Sequence, residues 1–335
     1  MDKINVVHHI LNHCSKEPKN TVGEYFAPSN IALCKYWGKR STELNLPQTA
    51  SLSVSLGNLG AKTLIGLHNG TDIFYVNGKP VEKGTTFFKN LNQFLDLFRT
   101  HKSIYYRVET ESNIPIGAGL ASSACGFAAV VGALDQLYGW ALPMHQLSIL
   151  GRLGSGSASR SFWQGFVEWQ AGTDPDGMDS FGVALKQSWP EFRVGLLILN
   201  AGQKHLSSRE AMQNTVLTSP FYSAWPKKHE IDLKRLKEAI ERHDFLALGE
   251  TAESNALAMH ALMLSTTPPI LYSEPKTLTA MQTIWQHRQQ GLPVYFTQDA
   301  GPNLKLLFQE KDTDQLTNIF PDLKVVAPFE KGALE

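Results

Sequence analysis

Asn113-Ile114-Pro115-Ile116-Gly117-Ala118-Gly119-Leu120-Ala121-Ser122-Ser123-Ala124 is the stretch from which the chain is best read. Pro115 opens a turn, and Gly117 and Gly119 strip side chains from the loop that follows. A polyphosphate could then approach backbone N–H groups closely. Ser122 and Ser123 stand where a helix N-cap is expected, and they add hydroxyl groups. The helix predicted next, Ser122 to Tyr138, is rich in Ala and Gly and could pack close to a sheet. No Gly-Lys-Ser/Thr follows the glycines, so this is not a Walker loop. Taken alone, the plainer reading of the stretch is a turn plus an N-cap.

Composition narrows the classes. At 335 residues the chain is too long for one ordinary core, so two domains are expected. Hydrophobic residues make up 42%, which suits a soluble globular protein. Lys+Arg and Asp+Glu both total 31, so nucleic acid finds no general electrostatic attraction, though a local basic patch stays open. Cys14, Cys34 and Cys125 form neither a disulfide framework nor a metal cage, and they point to a reducing compartment. No apolar run reaches transmembrane length, and the start lacks a signal-peptide pattern. A cytoplasmic protein without membrane association is expected.

Upstream of the loop, residues 1–22 are polar, with His8, His9, His13 and Cys14 close together. A helix would put His9 and His13 on one face, but a short solvated helix is the plainer expectation. Ala27 to Leu33 is an apolar, strand-like run that ends in Cys34-Lys35-Tyr36-Trp37-Gly38-Lys39-Arg40. Lys35, Lys39 and Arg40 either meet an anion at a strand end or form a solvated turn. Leu46 to Leu56 alternates apolar and small polar residues, as a half-buried strand does. Strands are predicted near 62–68 and 73–76, with a hairpin turn at Asn77-Gly78. Residues 85–100 have helical spacing (Phe87, Leu91, Phe94, Leu95, Phe98) that reads as core. Ile104 to Glu109 is a further strand leading into the loop.

Downstream, Pro143 begins a second helix that ends near Leu153-Gly154. Ser155-Gly156-Ser157-Ala158-Ser159-Arg160-Ser161 follows, either a serine-rich linker or a second anion site. Arg160 would suit a bidentate carboxylate or phosphate contact. Phe166 to Trp169 and Phe192 to Asn200 read as strands, and Ser188-Trp189-Pro190 lies near the expected domain boundary. Helices are predicted over 208–218, 232–242, 243–264 and 274–290. Pro293 to Gln298 is a strand running into Asp299-Ala300-Gly301-Pro302-Asn303, and Leu323 to Ala327 closes a sheet.

With these pieces in order, the sequence resembles the mevalonate diphosphate decarboxylases of the GHMP kinase superfamily. The resemblance spans about residue 24 to about 327 and rests on four motifs. They are Ser29-Asn30-Ile31-Ala32 with Lys35 to Arg40; Gly119-Leu120-Ala121-Ser122-Ser123; Gly154-Ser155-Gly156-Ser157-Ala158 with Arg160-Ser161; and Asp299-Ala300-Gly301-Pro302-Asn303. Superfamily kinases usually carry Gly-Leu-Gly-Ser-Ser, and the Ala121 form is similar to the decarboxylase branch. Ser208-Arg209 with Met212, and Met259-His260 with Thr267-Pro268-Pro269, resemble the bacterial subgroup. Two positions depart from the pattern: Thr49-Ala50-Ser51 stands for Asn-Ser-Ser, and Ala211 for a Gly.

The resemblance implies a two-domain α+β fold of the GHMP kinase type, with ATP and substrate in the cleft between domains. Boundaries follow as an extension over 1–22, an ATP-binding domain over 23–190 and a second domain over 191–335. It implies catalytic roles for Asp299, Arg160 and Lys35. Tyr36, Lys39, Ser155, Ser157, Ser208 and Arg209 match substrate-binding positions. Gly117, Gly119, Leu120, Ala121, Ser122 and Ser123 match the ATP phosphate loop, with Ser123 a candidate for the nucleotide's Mg²⁺. The implied reaction is ATP-dependent decarboxylation of mevalonate 5-diphosphate to isopentenyl diphosphate, with a homodimer by family analogy. Alternatives are a phosphomevalonate decarboxylase, a mevalonate 3-kinase on the same scaffold, or a non-catalytic binding protein.

Overall fold

The computed structural model describes residues 2–115, 122–202 and 205–330. The loop positions Gly117, Gly119, Leu120 and Ala121 lie outside the described residues. The first half contains α1 (Lys3–Leu11), β1 (Val22–Cys34), β2 (Lys39–Ser41), β3 (Leu46–Pro47), β4 (Ser51–His68), β5 (Ile73–Val76), β6 (Lys79–Pro80), α2 (Thr86–Leu95) and β7 (Tyr105–Ser112). It continues through α3 (Ser122–Tyr138), α4 (Met144–Gly154), a 3₁₀ turn (Gly156–Arg160), β8 (Phe166–Trp169) and β9 (Gly182–Ala184). The second half contains β10 (Phe192–Leu197), α5 (Ser208–Thr218), α6 (Trp225–Arg242), α7 (Phe245–Leu264), α8 (Pro275–Gln289), β11 (Tyr295–Gln298), β12 (Leu304–Gln309), α9 (Thr313–Ile319) and β13 (Lys324–Val326).

Two long strands organise the first half. β1 pairs antiparallel with β4 from Val22↔Gly66 to Cys34↔Leu52, with a register break between Pro28 and Asn30. Gly57 sits in that break with φ +58°, a conformation that costs glycine little. A bulge of this kind bends and twists a strand pair. The bend passes the two strands from one core to another. Ala27, Ala61 and Ile65 belong to a core with α2, α3 and α4. Ile31, Leu33, Leu52, Val54 and Leu56 belong to a second core with β10, α6 and α7. The second core is therefore shared by residues from both halves of the sequence.

Helix α3 packs on β1 as its small residues predict. A Cβ on Gly132 would lie 2.2 Å from the Tyr25 ring, so only glycine permits this approach. β4 also pairs with β7 and β8, and the larger sheet runs β6-β5-β7-β4-β8-β9 with β1 on β4. The smaller sheet runs β11-β12-β10-β13, antiparallel throughout.

Several expectations need correction, among them Phe87, which is 52% exposed rather than core. Residues 51–56 are buried on both faces rather than half-buried, because Leu52, Val54 and Leu56 enter the second core while Ser51, Ser53 and Ser55 are covered from the other side. Ser55 accordingly donates to Gln164 Oε1 at 2.8 Å. The N-terminal helix forms, but it is not merely solvated: Val6, Val7 and Ile10 are 0%, 1% and 7% exposed within the first core. Their i, i+1, i+4 spacing makes one apolar face, and His8 and His9 take the exposed side.

This packing has a measurable consequence. Ile10→Ala should cost about 2 kcal/mol of stability, the low end for a buried isoleucine. Chemical denaturation checks it; a solvated helix would lose nothing measurable.

Candidate active site

β1 ends at Cys34, and the chain turns into the cleft at Lys35. Asn255 on α7 and His229 on α6 hold that turn by its backbone. The Lys35 N–H donates to Asn255 Oδ1 at 2.8 Å. The Lys35 carbonyl lies 3.0 Å from His229 Nε2. A carbonyl only accepts, so Nε2 carries the proton. Burial pulls the His229 pKa to about 4, so the ring is neutral at neutral pH. Asn255 in turn donates to Asp232 at 2.8 Å, and Asp232 pairs with Lys228.

The Lys35 ammonium then meets Asp299 Oδ1 at 2.7 Å, with the lysine side chain 2% exposed and the aspartate 30%. Burial lowers the Lys35 pKa, and the Asp299 carboxylate opposes that. Lys305 of β12 approaches the other carboxylate oxygen at 3.4 Å, itself 1% exposed. His260 of α7 lies 3.2 Å from the Asp299 carbonyl, and burial draws its pKa to about 4. A neutral histidine thus fixes the aspartate's backbone while two ammonium groups fix its carboxylate.

Arg160 ends the 3₁₀ turn and is buried beside this pair. Its Nη1 donates to Ser51 Oγ at 2.6 Å, and Nε and Nη2 reach Asn30 Oδ1 at 3.4 and 3.3 Å. Burial draws its pKa to about 10, still far above neutrality. Tyr36 packs edge-on against Trp169 at 4.8 Å between ring centroids. Its buried hydroxyl has no hydrogen-bond partner among the described residues, as a group awaiting a ligand would. A Cβ on Gly156 would come within 2.9 Å of the Tyr36 ring, so glycine makes room for it.

Lys39 donates to Asn45 Oδ1 at 2.7 Å. Asn45 is itself held by the carbonyls of Arg152 and Leu153. Ser123, Ser155 and Ser157 form a line of hydroxyls, 3.4 and 3.2 Å apart. Ser208 opens α5 behind a capping box in which Ser207 and Glu210 satisfy each other's backbone N–H. Exposed Arg209 follows it.

One cleft of about 250 Å³ collects these side chains: Lys35, Tyr36, Lys39, Ser123, Ser155, Ser157, Arg160, Ser208, Arg209 and Asp299 all line it. Ser122 lines an adjoining, mostly apolar cavity of about 270 Å³, which also has Ser123, Phe87, Asn90 and Phe127 on its walls. Arg40 does not join the cleft: it donates to the carbonyls of Asp174 and Ala171 and anchors a turn. The sequence reading gave no role to Asn30, Asn45, His229, Asn255, His260 or Lys305. Lys305 carried a signal, since a lysine inside the apolar run Leu304–Phe308 must be buried with a partner.

Four cations, a carboxylate and a row of hydroxyls in a cleft suit phosphorylated, carboxylated substrates. The fold and cleft together define a two-domain α+β enzyme of the GHMP kinase fold. Residues 27–182 match the diphosphomevalonate decarboxylase-like N-terminal domain, and 194–330 match the mevalonate 5-diphosphate decarboxylase C-terminal domain. The chain belongs to the diphosphomevalonate decarboxylase family, and it is an ATP-dependent decarboxylase. It is 36% identical over 314 residues to a diphosphomevalonate decarboxylase of Aspergillus fumigatus, covering 86% of this chain and 77% of that one. A solved structure of MDDEF in complex with MVAPP, AMPPCP and magnesium superposes with a TM-score of 0.86 at 38% identity, covering 92% and 98% of the two chains. The mevalonate diphosphate decarboxylase from Enterococcus faecalis gives 0.84 at 37% identity, with coverage of 92% and 98%.

The charge pattern yields a pH prediction. Burial first, then Arg209 and Lys3, pull the Lys39 pKa down to about 8. The charged form binds anions, so that contribution is present below about pH 8 and is lost as pH rises through it. Inorganic pyrophosphate binding, followed by calorimetry from pH 7 to 9.5, should weaken more in the wild type than in Lys39→Arg, whose charge persists. Parallel profiles would remove Lys39 from the anion site.

Proposed function

We propose that the chain phosphorylates the tertiary 3-hydroxyl of (R)-mevalonate 5-diphosphate with ATP and then decarboxylates it to isopentenyl diphosphate. The observation that carries this reading is the Lys35–Asp299 pair beside Arg160 in one cleft with the serine hydroxyls. On this reading residues 23–190 form the nucleotide-binding domain, 191–335 the second domain and 1–22 an extension. A homodimer in the cytoplasm completes it by family analogy. Light scattering on the purified protein checks the oligomer.

In the first step Asp299 orients the tertiary hydroxyl and takes its proton, a contribution of about 10²–10⁴-fold. The alkoxide oxygen bonds to the γ-phosphorus as the bond to the ADP oxygen breaks. Lys35 neutralises the charge that develops there. In the second step phosphate leaves with the C–O electron pair, and positive charge builds at the tertiary carbon. Electrons of the C–C bond to the carboxylate form the new double bond, and carbon dioxide departs. Arg160 holds the carboxylate in line throughout. Tyr36, Ser157, Ser208, Lys39 and Arg209 bind the diphosphate end, with Ser155 between them and the nucleotide.

The loop 117–123 receives the ATP phosphates on this reading. The adjoining apolar cavity, which shares Ser123 with the cleft, takes the adenosine between Phe87 and Phe127. Its donor set fits a nucleotide: an apolar slot, the Asn90 amide and two hydroxyls at the phosphate end. Mg²⁺ bound with ATP would neutralise phosphate charge, and Ser123 is the residue that would hold it. A single assay tests the function: ATP with mevalonate 5-diphosphate or 5-phosphate, counting ADP, phosphate and carbon dioxide together. ADP without carbon dioxide would identify a 3-kinase instead, and preference for the monophosphate a phosphomevalonate decarboxylase.

Two variants test the roles. Asp299→Asn should lose at least 10²-fold in kcat while binding nucleotide within a few-fold. It should also lose about 1–3 kcal/mol of stability, because two buried ammonium groups lose their carboxylate. Turnover at the wild-type rate removes Asp299 from the mechanism. Arg160→Lys keeps charge but loses the planar fork, so turnover should fall about 10- to 150-fold. A quench time course should then show ADP released ahead of carbon dioxide. Equal amounts at every time would assign Arg160 to binding or to the first step.

A further inference from the structure

The charged groups in and beside the cleft fall into two sets with Tyr36 between them. Lys35, Arg160 and Asp299 act on one another. Lys39, Arg209 and Lys3 act on one another, and Arg160 and Arg209 both act on Tyr36. Lys3 comes from the N-terminal extension, before the residues matched by the N-terminal domain model, which begin at 27. It is the first residue of α1, behind the Asp2 cap that accepts from Asn5 N–H at 2.9 Å.

Buried Val6, Val7 and Ile10 fix where that helix starts. Lys3 and Arg209 both line a further cavity of about 250 Å³, walled by Asn90, Gln93, Phe127 and Gly154. Arg209 also lines the main cleft, so the two spaces adjoin at its side chain. Lys3 is half-buried, and exposed Glu43 is the anion acting on it, against the Arg209 guanidinium. Lys39 has the neutral Asn45 amide as its partner. Among the described residues, three cations and one exposed carboxylate leave an excess of positive charge at this end. Gathering like charges costs free energy that a polyanion recovers on binding.

We propose that Lys3 is a phosphate-binding residue beside this cleft, reached through the cavity that adjoins it at Arg209 and contacting the terminal phosphate of the substrate's diphosphate, so that the N-terminal helix selects a diphosphate over a monophosphate. The inference rests on the reading given under Proposed function. A monophosphate held by Lys39 and Arg209 would not extend to Lys3. A diphosphate adds one phosphorus–oxygen unit and further negative charge on that side. The extension thereby becomes part of the recognition surface, although the chemistry is complete without it.

The test uses the full chain and two variants, Lys3→Gln and Lys3→Arg. Calorimetry with inorganic pyrophosphate and with inorganic phosphate needs no turnover. Lys3→Gln should weaken pyrophosphate binding about five- to tenfold, the range for one half-exposed charge contact, and leave phosphate binding within twofold. Lys3→Arg should restore it. In turnover, Lys3→Gln should raise KM for mevalonate 5-diphosphate by the same factor, with kcat and KM for ATP unchanged. Equal weakening of both anions, a rise in KM for ATP alone, or no change in pyrophosphate binding each overturns the proposal. A fall in melting temperature with unchanged pyrophosphate affinity assigns Lys3 to helix stability only and likewise overturns it. An inactive wild type that still shows the pyrophosphate difference refutes the decarboxylase reading and leaves the Lys3 site standing.

Discussion

The ion pair between Lys35 and Asp299 joins residues 264 positions apart, and the rest of the structure is arranged to make it. Neither group is cheap to desolvate, since a buried charge is tolerated only when paired and hydrogen-bonded. The lysine arrives at the end of β1, which reaches the cleft because the break opposite Gly57 turns the strand pair from one core to the other. The aspartate arrives at the end of β11, beside β12. Asn255, His229 and His260 come from helices that pack across the junction and grip main-chain atoms next to both partners. Thr297 adds a hydrogen bond to the Ala32 carbonyl at 3.2 Å. Every one of these contacts fixes an angle or a position rather than adding charge.

Lys305 makes the pair a triad and alters its meaning. Two ammonium groups around one carboxylate leave net positive charge in a nearly buried place, and Arg160 adds more. A protein selected only for stability would replace such a cluster with apolar residues of similar volume. Its retention marks a site preorganised for anions, where fixed charges need not reorganise as negative charge moves during reaction. The same logic explains why the Tyr36 hydroxyl and the serine line face the cleft. The serine hydroxyls are acceptable there because ligand or solvent reaches them, and the buried Tyr36 hydroxyl has a ligand as its expected partner.

Much of this was legible from the chain. The small residues of 122–138 gave α3 with its observed ends, and 208–218 gave α5. The family resemblance, carried by four motifs in order, implied that Lys35, Arg160, Ser155, Ser157 and Asp299 share one site, although they are far apart in sequence. The missed parts have particular causes. β12 was overlooked because Asn303 reads as the end of a turn and Lys305 interrupts the apolar run. α6 starts at Trp225, not at 232, because Pro226 in its first turn starts the helix rather than breaking it. The buried face of α1 rests on three aliphatic residues set among histidines, too short a pattern to outweigh a polar composition. His229 and Asn255 carry no local signal, because their roles are set by what the end of β1 presents to them from 194 or more residues away.

Burial divides the cleft into two ends of different character. At the reacting end Lys35, Arg160 and Lys305 are 2%, 3% and 1% exposed, and the core beneath them is built from both halves of the chain. Moving any of them would open packed apolar surface, so their geometry is as stiff as the core itself. At the end we propose for the diphosphate, Arg209 is exposed on α5, a helix whose buried residues are Ala211, Met212 and Thr215. Lys39 is held through a single amide, and Lys3 at the start of a terminal helix. Local stability follows buried contact, so this end yields at lower cost. The arrangement suits a reaction whose bond-making atoms must be held within fractions of an ångström, while a flexible diphosphate needs only charge within reach. Specificity for the tail can therefore change by adding or removing a peripheral cation, as we propose for the N-terminal helix, without disturbing the Lys35–Asp299 ion pair.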